Sequence, residues 1–385
     1  MSLFNNYVVQ YYNGSTWVAI PELVDLNATV GRKQITDTWN ASTASFTFRY
    51  PTGFASPNTD IKVDVPIRFF TPSNTVNPGW TGFIRDATVT WGIPYQAGVG
   101  QADFLTIQAE GALAQWGRVT GNGFTPGSSL ANAQLTQVVN NYGLAWNGNI
   151  TDEPVKPVST TSSVLDWFQK FLNTVQGRPL DGATVNLSTT GQPSIYVASN
   201  ATNLFAGVSF SDTTNNATTD IYDVLNFDSL ADNYITQVIV TSPDYSPQTA
   251  ETGSAPYRSF TVDTYANSES QAKDIANYLL VTAQGQSVQP SAISAISSGQ
   301  NTPRIDTLNN VGNFGTFFAL PLFFTRITFR GVTYVARIEG ATISANPEQT
   351  RVTYYLSPAE ANPWLILDNA TFGILNTNKL ALYDF

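Results

Sequence analysis

Most side-chain chemistry is closed to this chain by what it lacks. Its 385 residues include no histidine and no cysteine. Serine–histidine triads, thiolate nucleophiles and imidazole acid–base catalysis are therefore excluded, as are disulfides and zinc sites built on Cys or His. Carboxylates remain, and a pair of them can cleave a glycosidic bond without histidine. Asp86 and Glu110 could meet across neighbouring strands. Asp152 and Glu153 are adjacent, so in a strand they would face opposite ways. Both pairs read first as solvated or channel-facing charge. No catalytic residue, no metal site and no cofactor is expected.

Other motifs carry bland readings as well. Gly121-Asn122-Gly123 lacks the strand-to-helix setting of a phosphate loop and reads as a turn. Asp212-Thr213-Thr214-Asn215-Asn216 offers oxygen ligands but lacks the glycine and distal glutamate of a calcium loop. Eight tryptophans invite a sugar-stacking role. However, Trp17, Trp80, Trp91, Trp116 and Trp167 fall in patterned segments, where core or interface packing is the simpler reading. The basic residues Arg85, Arg118, Arg326, Arg330 and Arg337 are dispersed and form no nucleic-acid patch.

The elements that would position these residues follow from composition and periodicity. Hydrophobic residues make up 42% and charged residues only 12%, about half of the ~25% usual for globular chains. Such a chain can build large cores, and low charge suits surface that is buried in an assembly. The net charge of -10 disfavours whole-chain attraction to nucleic acid or anionic lipid. No membrane-spanning segment and no signal peptide is expected.

The first ~117 residues alternate apolar and polar positions, as strands do. Tyr7 to Tyr12 leads into Asn13-Gly14, a hairpin signal, and Trp17 to Ile20 returns. Phe46, Phe48 and Tyr50 give one buried face, as do Val63, Val65, Ile67 and Phe69, with Pro66 marking an edge or bulge. Helices are expected from about Ser129 to Gly143, from Ser163 to Gly177 with Asp166 completing a capping box, and from Ser268 to Gln284. Strands return from Phe324 to Leu356.

The two β regions repeat each other in order. Ile67 and Phe69 match Ile327 and Phe329. Ile84, Ala87 and Val89 match Ile338, Ala341 and Ile343, and Leu105-Thr106-Ile107 matches Val352-Thr353-Tyr354. The fold expected is mainly β with an α+β insertion, in which two similar β-barrel domains near the ends flank central helix-containing domains. The boundaries read as a first barrel over 1–117, a central α+β domain over 118–233 and a strand-plus-helix domain over 234–300, whose strands can join the second barrel. That second barrel covers 301–363, and a C-terminal arm covers 364–385.

Taken in order, these segments resemble a phage tail hub protein, the minor tail protein of phages with long non-contractile tails, which shares its fold with the baseplate hub of contractile phages. The resemblance rests on Ile67-Arg68-Phe69-Phe70 followed by Trp80-Thr81-Gly82-Phe83-Ile84, on the helix Ser163 to Gly177, on Tyr234 to Thr241, on the helix Ser270 to Leu280, and on Tyr354-Tyr355-Leu356-Ser357-Pro358 with Trp364 to Asp368 and Phe372-Gly373. It implies a structural virion protein at the tail tip, made in the host cytoplasm. Three copies would form a pseudo-sixfold ring, docked on the distal tail-tube protein and on other tail-tip or receptor-binding proteins, with DNA passing through unbound. Two similar units per subunit would give a trimer six equivalent surfaces. The apolar arm residues Trp364, Leu365, Ile366, Leu367 and Phe372 are expected to contact a partner chain. The acidic balance is expected to face the DNA passage. Two alternatives remain open: a receptor- or carbohydrate-binding tail protein, and a glycan hydrolase using Asp86 and Glu110.

Overall fold

The computed structural model describes residues 7–50, 60–70, 78–90, 103–182, 193–198, 204–205, 209–214, 219–228, 235–283, 289–298 and 323–358. Alternation of apolar and polar residues builds the first set of strands: β1 (Val8–Tyr12), β2 (Trp17–Ile20), β3 (Leu23–Gly31), β4 (Thr43–Tyr50), β5 (Pro66–Phe70), β6 (Trp80–Thr90) and β7 (Asp103–Glu110). The β1–β2 hairpin closes at Tyr12 opposite Trp17. Asn13 Oδ1 accepts from the amides of Ser15 and Thr16, and Gly14 takes φ +97° between them. Pro66 opens β5, where its missing N–H costs no internal ladder bond.

Three helices and three strands follow: α1 (Ala112–Arg118), α2 (Ala131–Asn141), β8 (Trp146–Asn149), α3 (Val164–Val175), β9 (Arg178–Leu180) and β10 (Ile195–Ala198). The Ser163–Asp166 capping box is present at the start of α3, and Gln176 rather than Gly177 takes the left-handed terminating conformation at φ 51°. Trp167, Phe168, Phe171, Leu172 and Val175 are buried on one stripe of α3. Each such side chain stabilises the fold by roughly 1.5–3 kcal/mol. They share a core with Trp116, Leu135, Val138 and Phe83, so this helical unit lies against the end of β6.

The remaining elements are β11 (Leu204–Phe205), β12 (Ser209–Ser211), β13 (Thr219–Ile221), β14 (Val224–Asp228), β15 (Gln237–Ser242), β16 (Tyr245–Glu251), β17 (Ser259–Asp263), α4 (Glu269–Ala283), β18 (Gln289–Ser298), β19 (Phe323–Phe329), β20 (Val332–Ala345) and β21 (Gln349–Pro358). Helix α4 packs Ala272, Ile275, Ala276 and Leu280 against Val238 and Val240 of the β16-β15-β17 sheet. A second small sheet has the order β8-β10-β9.

The principal sheet has fifteen strands and two halves. One half runs β3-β4-β7-β6-β5, and the other runs β14-β18-β21-β20-β19. The order is the same, and so is an irregularity: the ladder shifts between Ile84 and Asp86 in β6 and between Ile338 and Gly340 in β20. The halves join where β20 pairs antiparallel with β3, from Gly340 opposite Gly31 to Ala345 opposite Leu26. They share one hydrophobic core. The two similar β units expected near the ends of the chain are present as halves of this one sheet. Among the described residues neither half closes on itself by hydrogen bonds, because the strand that would close each one is instead used in the β20–β3 join or left at an edge. The flanks differ: β5 continues antiparallel into β1, whereas β19 continues parallel into β11 and β12.

Candidate functional site

The join between the halves is built on two facing glycines. Gly31 has φ +72°, and a Cβ there would lie 2.3 Å from the Glu339 carbonyl oxygen. A Cβ on Gly340 would lie 2.5 Å from the carbonyl oxygens of Val30 and Arg32. Only glycine allows this backbone approach. The bulge at Ile338–Gly340 turns Glu339 inward, and its side chain is wholly buried. Its carboxylate accepts from Arg32 Nε at 2.8 Å, Arg178 Nη2 at 3.2 Å and Ser357 Oγ at 2.5 Å. Arg32 ends the β3 side of the join, Arg178 opens β9 of the helical unit, and Glu339 and Ser357 belong to the second half. One carboxylate therefore ties three parts of the molecule together.

The electrostatics of this cluster are one-sided. Burial pushes the Glu339 carboxyl up, but Arg178, Arg32 and Arg337 with the Ser357 hydroxyl outweigh it and hold the group well below its ordinary range. Burial, helped by Arg337, pulls Arg178 down to about 10. Both groups stay ionised at neutral pH. Arg32 also lies over the Trp39 ring at 4.4 Å, and Arg337 lies over Phe324 at 5.0 Å and within 3.4 Å of the Tyr278 hydroxyl. A cleft of ≈ 650 Å³ opens above the cluster between α3, α4 and β17, with Asp37, Asp166, Lys170 and Asp263 on its walls.

A second buried acid clamps the helical unit to the first half. Asp181 accepts from the Ser42 amide at 2.7 Å, Ser42 Oγ at 3.1 Å and the Leu113 amide at 3.1 Å. Helix α1 has no side-chain cap of its own at Gly111, so Asp181 caps it from 68 residues away. Burial raises the Asp181 carboxyl to about 6 against the opposing pull of these amides. Trp80 completes the clamp by donating Nε1–H to Ser42 Oγ at 3.0 Å.

The sheet's outer face is rich in hydroxyls. One row runs Ser294, Thr353, Thr342, Thr29 and Thr43 across both halves, and another runs Thr47, Thr106 and Thr88. Neighbours in the first row bond directly, Ser294 to Thr353 at 2.8 Å and Thr29 to Thr342 at 3.4 Å. The first row meets Glu110 next to Thr43, and the second meets Asp25 next to Thr47. Arg49 and Arg351 stand on the same face, two residues along from Thr47 and Thr353.

The residues singled out from sequence are placed as follows. Ile67, Phe69, Ile84, Ile327, Ile338, Ala341 and Ile343 are buried. Ala87 and Val89 are half-buried against the same core, and Phe329 is half-buried 5.4 Å from Phe227. Trp364, Leu365, Ile366, Leu367 and Phe372 lie outside the described residues, as do Trp91, Asn215 and Asn216. Glu110 is held by Arg85 at 2.8 Å and Arg118 at 2.5 Å, while Asp86 stands opposite Gln108, so the two acids form no catalytic pair. Asp212 accepts from the Arg330 amide at 2.7 Å and pins the β19–β20 turn. The amides of Gly121, Asn122 and Gly123 are all taken, by Ser162 O, Tyr142 Oη and Thr160 O, which makes the segment a turn. Trp80, Trp116 and Trp167 are buried, and Trp17 is half-buried beneath the Arg68 guanidinium at 4.0 Å. Among the described residues no cluster of three or more acidic groups could hold a metal, and no helix is long and apolar enough to cross a membrane.

Sequence reasoning missed the Glu339 cluster and the Asp181 clamp. Bonded partners lie up to 307 residues apart in the first and up to 139 in the second. The available signal was indirect: a glutamate inside an otherwise apolar and hydroxyl-rich strand.

No protein-family model and no curated protein matches the chain. Its fold does match solved structures. It is similar to the 43 kDa tail protein of prophage MuSo2 from Shewanella oneidensis, with TM-score 0.62, 10% identity, and 91% of this chain and 98% of that one covered. It is similar to the tail protein from Neisseria meningitidis MC58, with TM-score 0.60, 10% identity and coverage of 91% and 96%. A third likeness, with TM-score 0.54, 10% identity and coverage of 90% and 78%, is to an Escherichia coli component of the type VI secretion system, itself described as similar to the T4 bacteriophage tail proteins gp27 and gp5. At this identity the likeness is one of fold, and over nine-tenths of its length the chain has the fold of these phage tail proteins.

Proposed function

We propose that this chain is a structural, non-enzymatic hub of a phage tail tip. Three copies form a pseudo-sixfold ring that joins the tail tube to the distal host-recognition parts and leaves an axial path for DNA. The observation that carries the reading is the repeated half-sheet. Two five-stranded units with one strand order and one bulge position stand side by side in each subunit. Three subunits would then offer six equivalent units to a sixfold tube. The fold shared with tail proteins supports the same placement.

The hydroxyl rows suit the wall of the DNA path. DNA carries one charge per ≈ 1.7 Å, and hydroxyl rows flanked by Asp25 and Glu110, with few cations beside them, gain little from counterion release. The acid expected to face the passage is assigned to this face, where Asp25 and Glu110 flank the hydroxyl rows. Two features weigh against the alternative readings. The buried Trp80, Trp116 and Trp167 provide no stacking platform for a glycan, and Glu110 is occupied by two arginines. The arm from Trp364 to Phe385 is assigned to a neighbouring subunit or tail protein, since its apolar residues gain most by docking.

Native mass spectrometry of the purified chain tests the ring. A species of three chains is expected, and a stable monomer at assembly-like concentrations would overturn the reading.

A further inference from the structure

The β20–β3 join has a counterpart that is open on both sides among the described residues. The strand corresponding to β20 is β6: Ala87 stands opposite Ile107 as Ala341 stands opposite Tyr354. The strand corresponding to β3 is β14: Leu225 stands opposite Ile293 as Leu26 stands opposite Phe46. In β6, residues Asp86–Thr90 pair with β7 on one side, and among the described residues no strand lies on the other. In β14, β18 occupies one side, and the other is likewise open among the described residues.

Burial separates the closed copy from the open one. Ala341, Ile343 and Leu26 are each 0% exposed. Their counterparts Ala87, Val89 and Leu225 are only half-buried, and Val224 is 46% exposed. The same positions in the same sheet are thus finished where the internal join covers them and unfinished where no described strand does. Open strand edges with exposed apolar residues pair readily with another chain. The two edges lie seven strand spacings apart along the sheet, roughly 34 Å at ~4.8 Å each.

We infer that β6 of one subunit pairs antiparallel with β14 of a second copy of this chain, repeating between subunits the β20–β3 join found within each one. The correspondence also sets the register. Ser344 opposite Asn27 within the chain becomes Thr90 opposite Asn226 of the partner subunit. This contact is head-to-tail, the kind that closes into rings when its rotation allows. Each ring junction, internal or external, then has the same form. The inference rests on the ring proposed above and specifies which surfaces build it.

The chain has no cysteine, so a Thr90→Cys/Asn226→Cys variant carries only the two reporter thiols. Both positions are exposed in the single chain, and directly opposed residues on paired strands have Cβ atoms about 4.5–5.5 Å apart. Under mild oxidation most of the protein should run as covalent multimers up to the trimer on a non-reducing denaturing gel, whereas Thr90→Cys/Thr353→Cys should stay monomeric there. Val89→Lys, which places a charge in the middle of the contact, should give a folded monomer by native mass spectrometry. A native trimer with no Thr90–Asn226 cross-link, or a Val89→Lys variant that still forms trimers, would overturn the edge pairing and leave the ring standing. A wild-type chain that never assembles would overturn the ring, and the pairing with it.

Discussion

Replacing Glu339 with glutamine should destabilise the fold far more than any surface charge change. The substitution keeps the shape of the side chain but removes the one negative charge from a buried cluster. Arg178, 7% exposed, and Arg32, 13% exposed, would then face each other across a neutral amide. Breaking a buried ion pair by removing one partner costs about 3–5 kcal/mol, because the remaining charge is left uncompensated. That is a large share of the ~5–15 kcal/mol that holds a domain folded. With a urea m-value of about 3 kcal/mol/M, the midpoint should fall by roughly 1–1.7 M. Glu110→Gln is the matched control: its partner Arg85 is 65% exposed, and exposed pairs contribute at most about 1 kcal/mol. The buried tryptophans report unfolding by fluorescence. The pH dependence has a definite sign. Glu339 titrates below its ordinary value of 4.5 in the folded state, so its contribution is complete above that pH and fades on acidification. The gap between wild type and Glu339→Gln should narrow by roughly 2 kcal/mol between pH 7 and pH 3. A variant within about 1 kcal/mol of wild type at pH 7, or a gap that does not change with pH, would refute the account of this cluster.

Three further outcomes follow. The Asp181 carboxyl is raised to about 6 in the folded state from an ordinary 3.8, so the native state holds its proton more tightly and stability falls as pH rises from about 4 through 6. This term is on the order of 3 kcal/mol; Asp181→Asn should remove that slope in urea titrations, and parallel curves would contradict it. Gly31→Ala should cost about 3 kcal/mol or more, since it combines a left-handed backbone with a steric conflict in the join. Gly14→Ala, also at positive φ but with nothing within 4 Å, should cost only about 1 kcal/mol, so equal melting shifts would count against the close approach at Gly31. Truncation after Asn362 should leave the thermal unfolding of the sheet unchanged while impairing tail assembly in an infection assay, and normal tails would remove the role given to the arm.

Much of the architecture was legible because it is local. Strand alternation at Phe46, Phe48, Leu105 and Ile107, the hairpin at Asn13-Gly14 and the capping box at Ser163–Asp166 each involve residues within a few positions of one another. The recurrence of Ile84, Ala87 and Val89 as Ile338, Ala341 and Ile343 even marks the shared bulge, because an extra residue in a strand shifts the apolar pattern. Helix α1 falls at the end of the region expected to be β: at seven residues it shows less than two full turns of periodicity, and its N-terminus is capped by Asp181 from another element. The helix end at Gln176 was missed for a similar reason, since glycine at 177 is the better local candidate and the packing of Gly177 against Leu172 and Val175 fixes it elsewhere. Whether each half closes as a barrel is not carried by strand alternation, which sets a strand's faces and not its neighbours. Which edge a strand presents to which neighbour depends on residues hundreds of positions away, as Gly31 with Gly340 does. The ionic cluster was invisible on the same ground, because Arg32, Arg178 and Glu339 carry no pattern linking them until the sheet brings them together.

The position and copy number of this chain in the intact virion test the central claim most directly. Image reconstruction of the tail should show three copies in one ring below the last ring of the tail tube, with the hydroxyl-bearing sheet face toward the axis. A chain found on the outside of the tail, or in a number that is not three per ring, would contradict the account.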